Sequence, residues 1–288
     1  MGKLFGTDGI RGIANKDLTA ELAFKTGQSG AYELTKHSSK RPRILIGKDT
    51  RKSGDMLEAA LTAGLCSMGA KVIPLGVVPT PAVAYLTRYY KADAGVVISA
   101  SHNPCEYNGI KFFNSDGYKL SDGIEHEIES YILGEKAIEE LPTHGKVGYV
   151  SANHNAVEDY VAFAVSTIDC RLDGMKIAVD CANGASYETA FKALNKLGAN
   201  VEAIHNTPDG VNINHMCGST HMESLQAYVT SIGADIGIAF DGDADRMLAV
   251  DENGKLIDGD QIMAACAKVM RDKGTLKQNN LVATVMSN

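Results

Sequence analysis

The chain has 288 residues, 44% hydrophobic and 22% charged, which is long enough for two domains with buried cores and excludes a disordered protein. Its 28 basic and 35 acidic residues give a net charge of −7 without a basic block, so the composition argues against nucleic-acid binding. The six cysteines form no Cys-x-x-Cys pair, which excludes a zinc or disulfide framework and fits a reducing compartment. Because residues 1–6 lack an apolar signal core and no run approaches the roughly 20 apolar residues of a membrane span, we expect a cytoplasmic protein.

The first 150 residues predict one α/β domain. Residues 5–12 hold three glycines, and we expect a tight loop with exposed backbone N–H groups, in which the Arg11 guanidinium could bind a phosphate. An ordinary surface turn is the alternative interpretation. The elements that follow predict a βαβαβ unit with right-handed crossovers and then a hairpin. They are a helix over 19–37, a strand over 43–47, a helix over 55–68, a strand over 71–75, a helix over 79–90, a strand over 96–98, hairpin strands over 109–113 and 118–120, and a helix over 122–133.

Polar residues 134–148 predict a boundary, after which a second domain over 151–257 repeats the plan. It contains a helix over 155–167, strands over 176–180, 201–204 and 235–240, helices over 185–197 and 221–232, and a hairpin over 247–257. A third domain begins over 258–288 with a helix over 259–272 and a strand over 281–288, and we infer that the chain is a fragment of a longer protein. The predicted fold class is α/β, with tandem three-layer α/β/α domains, each a βαβαβ unit plus hairpin in a mixed sheet.

Ser101 follows the third predicted strand of the first domain, in the run Ser-Ala-Ser-His-Asn-Pro over 99–104. In open α/β sheets, ligands bind at the carboxyl ends of the strands, so the Ser101 hydroxyl lies where a ligand could reach it. Taken alone, the run favours an ordinary strand-to-loop turn. Residues 234–246 repeat its pattern, since both stretches open with Ala-Asp-x-Gly, continue as an apolar strand and end in a polar loop. This repetition indicates chemistry between two domains.

Three carboxylates, those of Asp241, Asp243 and Asp245, alternate with small residues in the second of these loops. Alternate residues of an extended loop point the same way, and like charges on one side favour a hard divalent cation such as Mg²⁺. We expect this loop to be exposed. A solvated acidic turn is one alternative. An EF-hand is disfavoured because Arg246 occupies the position that needs glycine, and an aspartyl phosphatase is disfavoured because it needs a small hydroxyl residue at position 245.

Together, three motifs resemble the α-D-phosphohexomutase family. They are Phe-Gly-Thr-Asp-Gly-Ile-Arg-Gly over 5–12, Ser-Ala-Ser-His-Asn-Pro over 99–104 and Asp-Gly-Asp-Ala-Asp-Arg over 241–246. The similarity covers the whole chain and is greatest to the branch that acts on glucosamine phosphates. Ala244 departs from the family's usual glycine but leaves the carboxylates intact.

The resemblance implies a role for each motif residue. Ser101 would carry a phosphoryl group as phosphoserine, and an oxygen of that group would join Asp241, Asp243 and Asp245 in binding Mg²⁺. Arg11 and Arg246 would neutralise the phosphoryl group. Lys111 would be the general acid or base, and His102 would have a minor, loop-orienting role.

The resemblance also implies a reaction, the interconversion of glucosamine 6-phosphate and glucosamine 1-phosphate through a bisphosphorylated sugar. Glucosamine 1,6-bisphosphate or another hexose bisphosphate would be the activator, and the substrate would be a phosphorylated amino sugar. A glucose or mannose phosphate mutase and a non-catalytic calcium-binding module are the alternatives. The family's sugar-binding and distal phosphate-binding loops are absent from the sequence, so we expect this chain alone not to complete the cycle. The resemblance further leaves room for a homodimer and for association with a diadenylate cyclase, as relatives in some bacteria imply.

Overall fold

The structure is a computed structural model that describes residues 4–6, 8–36, 40–153 and 155–287. Thr7 of the first motif, the end of the helix predicted over 19–37 and Asn288 of the last predicted strand lie outside these residues. Within the described ranges, no helix combines the length and the apolar composition needed to cross a bilayer.

A seven-stranded mixed sheet is formed by the first half of the chain, in the order β1-β2-β6-β5-β3-β4-β7. Strands β5, β3, β4 and β7 are parallel, whereas β6, β2 and β1 add antiparallel pairs beyond β5. The strands are β1 Phe5–Gly6, β2 Gly9–Ile13, β3 Arg43–Lys48, β4 Lys71–Val77, β5 Ala94–Ile98, β6 Tyr107–Asn114 and β7 Tyr149–Val150. The predicted mixed sheet is therefore confirmed.

Helices cover both faces of this sheet because its strands bury side chains alternately on either side. Ile44 and Ile46 of β3 pack with α1, α2 and α4, whereas Leu45 between them packs with α3 on the opposite face. The helices are α1 Ala20–Thr35, α2 Ser53–Ser67, α3 Thr80–Tyr89 and α4 Asp122–Ile132. The arrangement is the expected three-layer α/β/α sandwich.

The second sheet has five strands in the order β12-β11-β10-β8-β9 and repeats the same architecture. Ala178 of β8 packs under α7, and its neighbours Ile177 and Val179 face the apolar residues of α6. The elements are α5 Ala156–Ser166, β8 Lys176–Asp180, α6 Thr189–Lys196, β9 Asn200–Ile204, α7 Glu223–Ile232, β10 Ile236–Phe240, β11 Met247–Asp251 and β12 Leu256–Ile257. β8, β9 and β10 are parallel, and the predicted β11–β12 hairpin is present.

Two predictions in the first half of the chain were wrong. Residues 5–6 and 9–12 lie in strands β1 and β2, not in a loop, because β2 pairs along one edge of β6 and β1 pairs with β2. The hairpin over 109–113 and 118–120 does not form either. β2 pairs only with residues 107–110 of β6, and residues 118–120 return beside the rest of that edge. They make only one isolated bridge, from Lys119 to Phe113, before the chain enters α4 at Asp122, so no second strand forms.

The last predicted helix is present as α8, Gly259–Asp272, but the strand predicted after it is not. Asp258 and Gln261 form a capping box at the start of α8, which explains why its first residue was predictable. None of the α8 residues is buried. Residues 281–287 have no strand partner among the described residues, and a strand without a partner leaves its backbone N–H and C=O groups unpaired.

The contact between α1 and α2 predicts a large effect of one methyl group. A Cβ added at Gly64 would overlap the Phe24 carbonyl oxygen, whereas one added at Gly123 near the start of α4 meets nothing within 4 Å. We expect Gly64→Ala to lower the free energy of unfolding by about 1–3 kcal/mol. Gly123→Ala is the matched control and should be neutral or stabilise by up to about 1 kcal/mol. Urea unfolding would measure both, and equal effects would contradict this account of the contact.

Candidate active site between the two sheets

The loops that follow β5 and β10 meet although they belong to different sheets. Ser101 comes three residues after β5, and Asp241 comes directly after β10. The Ser101 hydroxyl donates a hydrogen bond of 2.7 Å to Oδ2 of Asp241. Ser101 has a backbone φ of 53°, a left-handed conformation that is uncommon for a residue with a side chain. The two stretches that repeat one sequence pattern therefore build one site.

The three loop carboxylates lie within 4.8 Å of one another. Asp241 and Asp243 are buried and only Asp245 is exposed, so the prediction of an exposed loop was wrong. The Thr80 hydroxyl at the start of α3 donates a 2.7 Å hydrogen bond to Oδ2 of Asp243, which ties the loop to the first sheet's helix. Oδ1 of Asp243 is buried and has no protein partner.

Electrostatics at this cluster favour a bound cation. Burial, with the nearby charge of Asp243, raises the pKa of Asp241 to about 6. Burial and the same neighbour also raise the pKa of Asp245. A hard divalent cation bound here would coordinate the buried Asp243 oxygen that has no donor. Its charge would also favour the ionised form of the two neighbouring carboxylates. The residues therefore fit the magnesium site that the sequence predicts.

Arg246 connects the same loop to the serine. Its Nη2 donates a 3.0 Å hydrogen bond to the Ser101 hydroxyl and lies 2.8 Å from Nδ1 of His102, while its Nε is 3.6 Å from Asp245. Burial and the charges of Arg246 and Arg11 lower the pKa of His102. A neutral imidazole can accept a hydrogen bond from Arg246 at Nδ1, and the loop-orienting role of His102 stays a prediction.

Arg11 and Lys111 come from the adjacent strands β2 and β6 and share one carboxylate, that of Asp8. Lys111 Nζ lies 2.5 Å from Oδ1 of Asp8, and Arg11 forms an ion pair with the other oxygen. Burial opposes ionisation of Asp8, but the hydrogen bond and charge of Lys111, together with Arg11, hold its pKa below the ordinary value. Asp8 positions both predicted cations, a role that the sequence motif alone did not assign.

Sequence analysis also missed a fully buried group beneath the Ser101 loop. Arg51 pairs with Asp49, which accepts a 2.5 Å hydrogen bond from the Ser99 hydroxyl. Arg51 Nη2 then donates to the carbonyl oxygens of Ser101, at 3.1 Å, and Asn103, at 2.5 Å. A signal existed, because the polar loop over 49–51 follows β3, and β3 lies parallel beside β5, so the two loops lie at the same edge of the sheet.

Asn214 contributes to the same loop from the second sheet. Its Nδ2 lies 2.9 Å from the Ser101 carbonyl oxygen and 3.0 Å from that of Asn103. It belongs to the irregular connection over 205–218, where no periodicity or spacing indicates a function. Asp180 at the end of β8 holds both ends of this connection, since its Oδ2 accepts from Nδ1 of His205 and from the backbone N–H of Gly218, each at 2.9 Å.

The contact between Asp180 and His205 predicts a pH dependence. The hydrogen bond to Asp180, opposed by partial burial, raises the pKa of His205. A folded-state pKa above the unfolded value means that this stabilisation is complete below about pH 6.5 and is lost as the pH rises through the folded pKa.

We therefore expect His205→Asn to lower the free energy of unfolding by about 1 kcal/mol more near pH 6 than near pH 9. His215→Asn is the matched control, because His215 is exposed on the same connection. Urea titrations at the two pH values would measure the difference, and a pH-independent effect of His205→Asn would contradict this role.

Comparisons with known proteins agree with this geometry. Two family models match, described as phosphoglucomutase/phosphomannomutase alpha/beta/alpha domain I, over residues 2–139, and domain II, over residues 157–254. Phosphoglucosamine mutases of Acetivibrio thermocellus and Clostridium acetobutylicum are each 62% identical to the chain over 288 residues. The chain is fully covered in both comparisons and spans 64% of the length of these relatives.

A solved structure supports the same assignment. A phosphoglucomutase/phosphomannomutase family protein from Burkholderia thailandensis superposes with a TM-score of 0.79 at 28% identity, covering 94% of this chain and 59% of that one. The matched models, the relatives and the paired loops confirm the resemblance inferred from the three motifs. The chain therefore belongs to the phosphoglucomutase/phosphomannomutase family, the α-D-phosphohexomutases, and contains its first two α/β/α domains.

Proposed function

We propose that this chain provides the phosphoryl-carrying and metal-binding parts of an enzyme that interconverts glucosamine 6-phosphate and glucosamine 1-phosphate. The observation that carries the proposal is the Ser101 hydroxyl, which lies between Asp241, at 2.7 Å, and Arg246, at 3.0 Å. The substrate assignment rests on relatives at 62% identity that are named phosphoglucosamine mutase. Because the chain spans 64% of their length, the complete reaction is proposed for the full-length gene product.

The arrangement suits a serine that stores a phosphoryl group. A sugar hydroxyl oxygen attacks the phosphorus of phosphoserine, the bond from phosphorus to Oγ of Ser101 breaks, and a bisphosphorylated sugar forms. After the sugar turns over in the site, Ser101 takes back the other phosphoryl group. Phosphoryl transfer is accelerated mainly by positioning and charge neutralisation, and Arg246 lies within hydrogen-bond distance of the oxygen involved.

In each transfer the attacking hydroxyl loses a proton and the oxygen that leaves phosphorus gains one, and Lys111 is the proposed general acid or base for this exchange. Its neutral amine would accept the first proton, and the ammonium group so formed would donate the second. The Lys111 side chain is only 13% exposed and its Nζ lies 2.5 Å from Oδ1 of Asp8, so its position is fixed before substrate arrives. Arg11, held by the same carboxylate, is the second proposed phosphoryl-binding cation.

Asp241, Asp243 and Asp245 would hold Mg²⁺, with an oxygen of phosphorylated Ser101 as a further ligand. Bound there, the ion would offset negative charge that develops on the transferring phosphoryl group. Glucosamine 1,6-bisphosphate or another hexose bisphosphate is the proposed activator, because it can phosphorylate Ser101.

The remaining assignments are also proposals. A cytoplasmic location fits the dispersed cysteines. Domain boundaries at 150 and 257 are supported by β7, which ends at Val150 in the first sheet, and by β12, which ends at Ile257 in the second. A homodimer and an association with a diadenylate cyclase stay predictions of the family resemblance; light scattering and a binding assay with a purified cyclase would test them.

The proposed function predicts that Ser101 is phosphorylated in the full-length gene product. We expect intact-mass and peptide mass spectrometry to find a phosphoryl group on Ser101, and Ser101→Ala to remove turnover of glucosamine 1-phosphate. Ser115→Ala is the control, because Ser115 is exposed in a turn. Active protein modified at Ser99 alone, or not modified, would contradict the assignment. Higher kcat/KM for glucose or mannose 1-phosphate would favour the alternative branches of the family.

The proposed function also predicts how a substitution in the metal cluster changes stability and Mg²⁺ binding. Asp243→Asn removes one of the repelling charges, so we expect the metal-free variant to unfold at a higher temperature than the wild type. Saturating Mg²⁺ should stabilise the wild type clearly and the variant much less, and turnover of the variant should fall by orders of magnitude.

Asp116→Asn, a substitution at an exposed turn carboxylate, is the matched control and should change neither response. Equal stabilisation of wild type and Asp243→Asn by Mg²⁺ would exclude the site. Tight Ca²⁺ binding by calorimetry, without phosphorylation of Ser101, would favour a calcium-binding module instead.

A further inference from the structure

We propose that Asn214 is a positioning residue for phosphoryl transfer at Ser101, acting from the second sheet on the backbone of a loop that belongs to the first. The inference rests on the proposed function and adds to it a residue that touches neither the metal cluster's carboxylates nor the reacting oxygen. Its amide nitrogen lies 2.9 Å from the carbonyl oxygen of Ser101 and 3.0 Å from that of Asn103.

These two carbonyls are held from both sides. Arg51, which follows β3 of the first sheet, donates to the same pair of oxygens, at 3.1 Å for Ser101 and 2.5 Å for Asn103. Ser101 has a φ of 53°, a conformation that costs free energy for a residue with a side chain unless its surroundings impose it. Four hydrogen bonds to the carbonyls of Ser101 and Asn103 supply that constraint and fix the direction in which the Ser101 hydroxyl points.

The Asn214 side chain can hold the two carbonyl oxygens only through its amide N–H groups. Asn214 is 8% exposed, and its Oδ1 is buried without a hydrogen-bond partner. A flipped amide would place that oxygen against both carbonyl oxygens, so only the orientation with the amide nitrogen toward them is stable. The side chain therefore acts through its donors, and its acceptor has no hydrogen-bond partner.

The metal loop, residues 241–246, packs directly against the contact between Asn214 and the Ser101 carbonyl oxygen. A Cβ added at Gly242 would come within 2.6 Å of Nδ2 of Asn214 and 2.7 Å of the Ser101 carbonyl oxygen. Only glycine lets the backbone between Asp241 and Asp243 approach so closely. Asn214 thus lies where the serine loop and the metal loop meet, and its position is linked to both.

The connection that carries Asn214 is itself fixed. The backbone N–H of Asn214 donates a 2.9 Å hydrogen bond to the carbonyl oxygen of Ala182, and Asp180 binds both ends of the connection through His205 and Gly218. Rigid support of this kind is what positioning requires, because small misplacements of a reacting group slow a reaction greatly.

The test measures how fast Ser101 becomes phosphorylated in the full-length gene product. Dephosphorylated protein is mixed with glucose 1,6-bisphosphate and Mg²⁺, and intact mass is followed with time over a range of bisphosphate concentrations. Asn214→Asp keeps the shape but replaces the donor with an acceptor, and Asn214→Ala removes the donor without adding charge. His215→Ala, an exposed neighbour on the same connection, is the control.

We expect both Asn214 variants to lower the maximal rate of phosphorylation at least about tenfold, which is about 1.4 kcal/mol in activation free energy. The bisphosphate concentration that gives half the maximal rate should change by less than about twofold, because Asn214 holds the serine and not the ligand. His215→Ala should behave as the wild type. Circular dichroism and Mg²⁺ titration establish that each variant compared is folded and binds metal.

The other outcomes are decisive in different ways. Normal rates in either folded Asn214 variant overturn the inference and leave the proposed function standing. A loss in Asn214→Asp alone is a charge effect and also overturns it. Wild-type protein that is never phosphorylated at Ser101 overturns the proposed function and the inference with it.

Discussion

The structure depends on one contact between two sheets, the hydrogen bond from the Ser101 hydroxyl to Asp241. Each partner follows the carboxyl end of a strand whose apolar side chains pack into the core of its own sheet, so neither loop can move far without disturbing a sheet. Asp241 is nevertheless placed beside Asp243 in a buried position, which keeps its pKa near 6. The loop after β10 holds together carboxylates that repel one another, and a bound cation would relieve that repulsion.

The polar contacts between the two halves of the chain concentrate at this point. The Thr80 hydroxyl and backbone N–H both bind Asp243, and the Thr50 hydroxyl donates to the Asn183 carbonyl at 2.5 Å. Since these bonds lie around the serine and the metal cluster, any shift of one sheet against the other changes the geometry of the site. The geometry of the site therefore depends on how the two sheets are oriented relative to each other.

Much of the fold could be predicted because local patterns determined it. The capping box at Asp258 and the short continuous apolar runs of β3, β8 and β10 indicate helices and strands without reference to distant residues. The candidate site was predictable where its residues form compact motifs, as at Ser101 and Asp241. Arg51 and Asn214 were missed because their roles arise from backbone carbonyls that come near only after folding. The strand at 118–120 was wrongly predicted for a related reason, since the local sequence does not show that the returning chain meets β6 at only one bridge before α4 begins.

The central claim is that Ser101 and the three aspartates form one phosphoryl-transfer site. The most direct test replaces Mg²⁺ with Mn²⁺ in protein phosphorylated at Ser101 and records phosphorus-31 electron–nuclear double resonance. A phosphoserine oxygen bound to the metal would give a resolved hyperfine coupling between Mn²⁺ and phosphorus, which Asp243→Asn should weaken or remove. Bound Mn²⁺ with no phosphorus coupling in fully phosphorylated protein would contradict the claim.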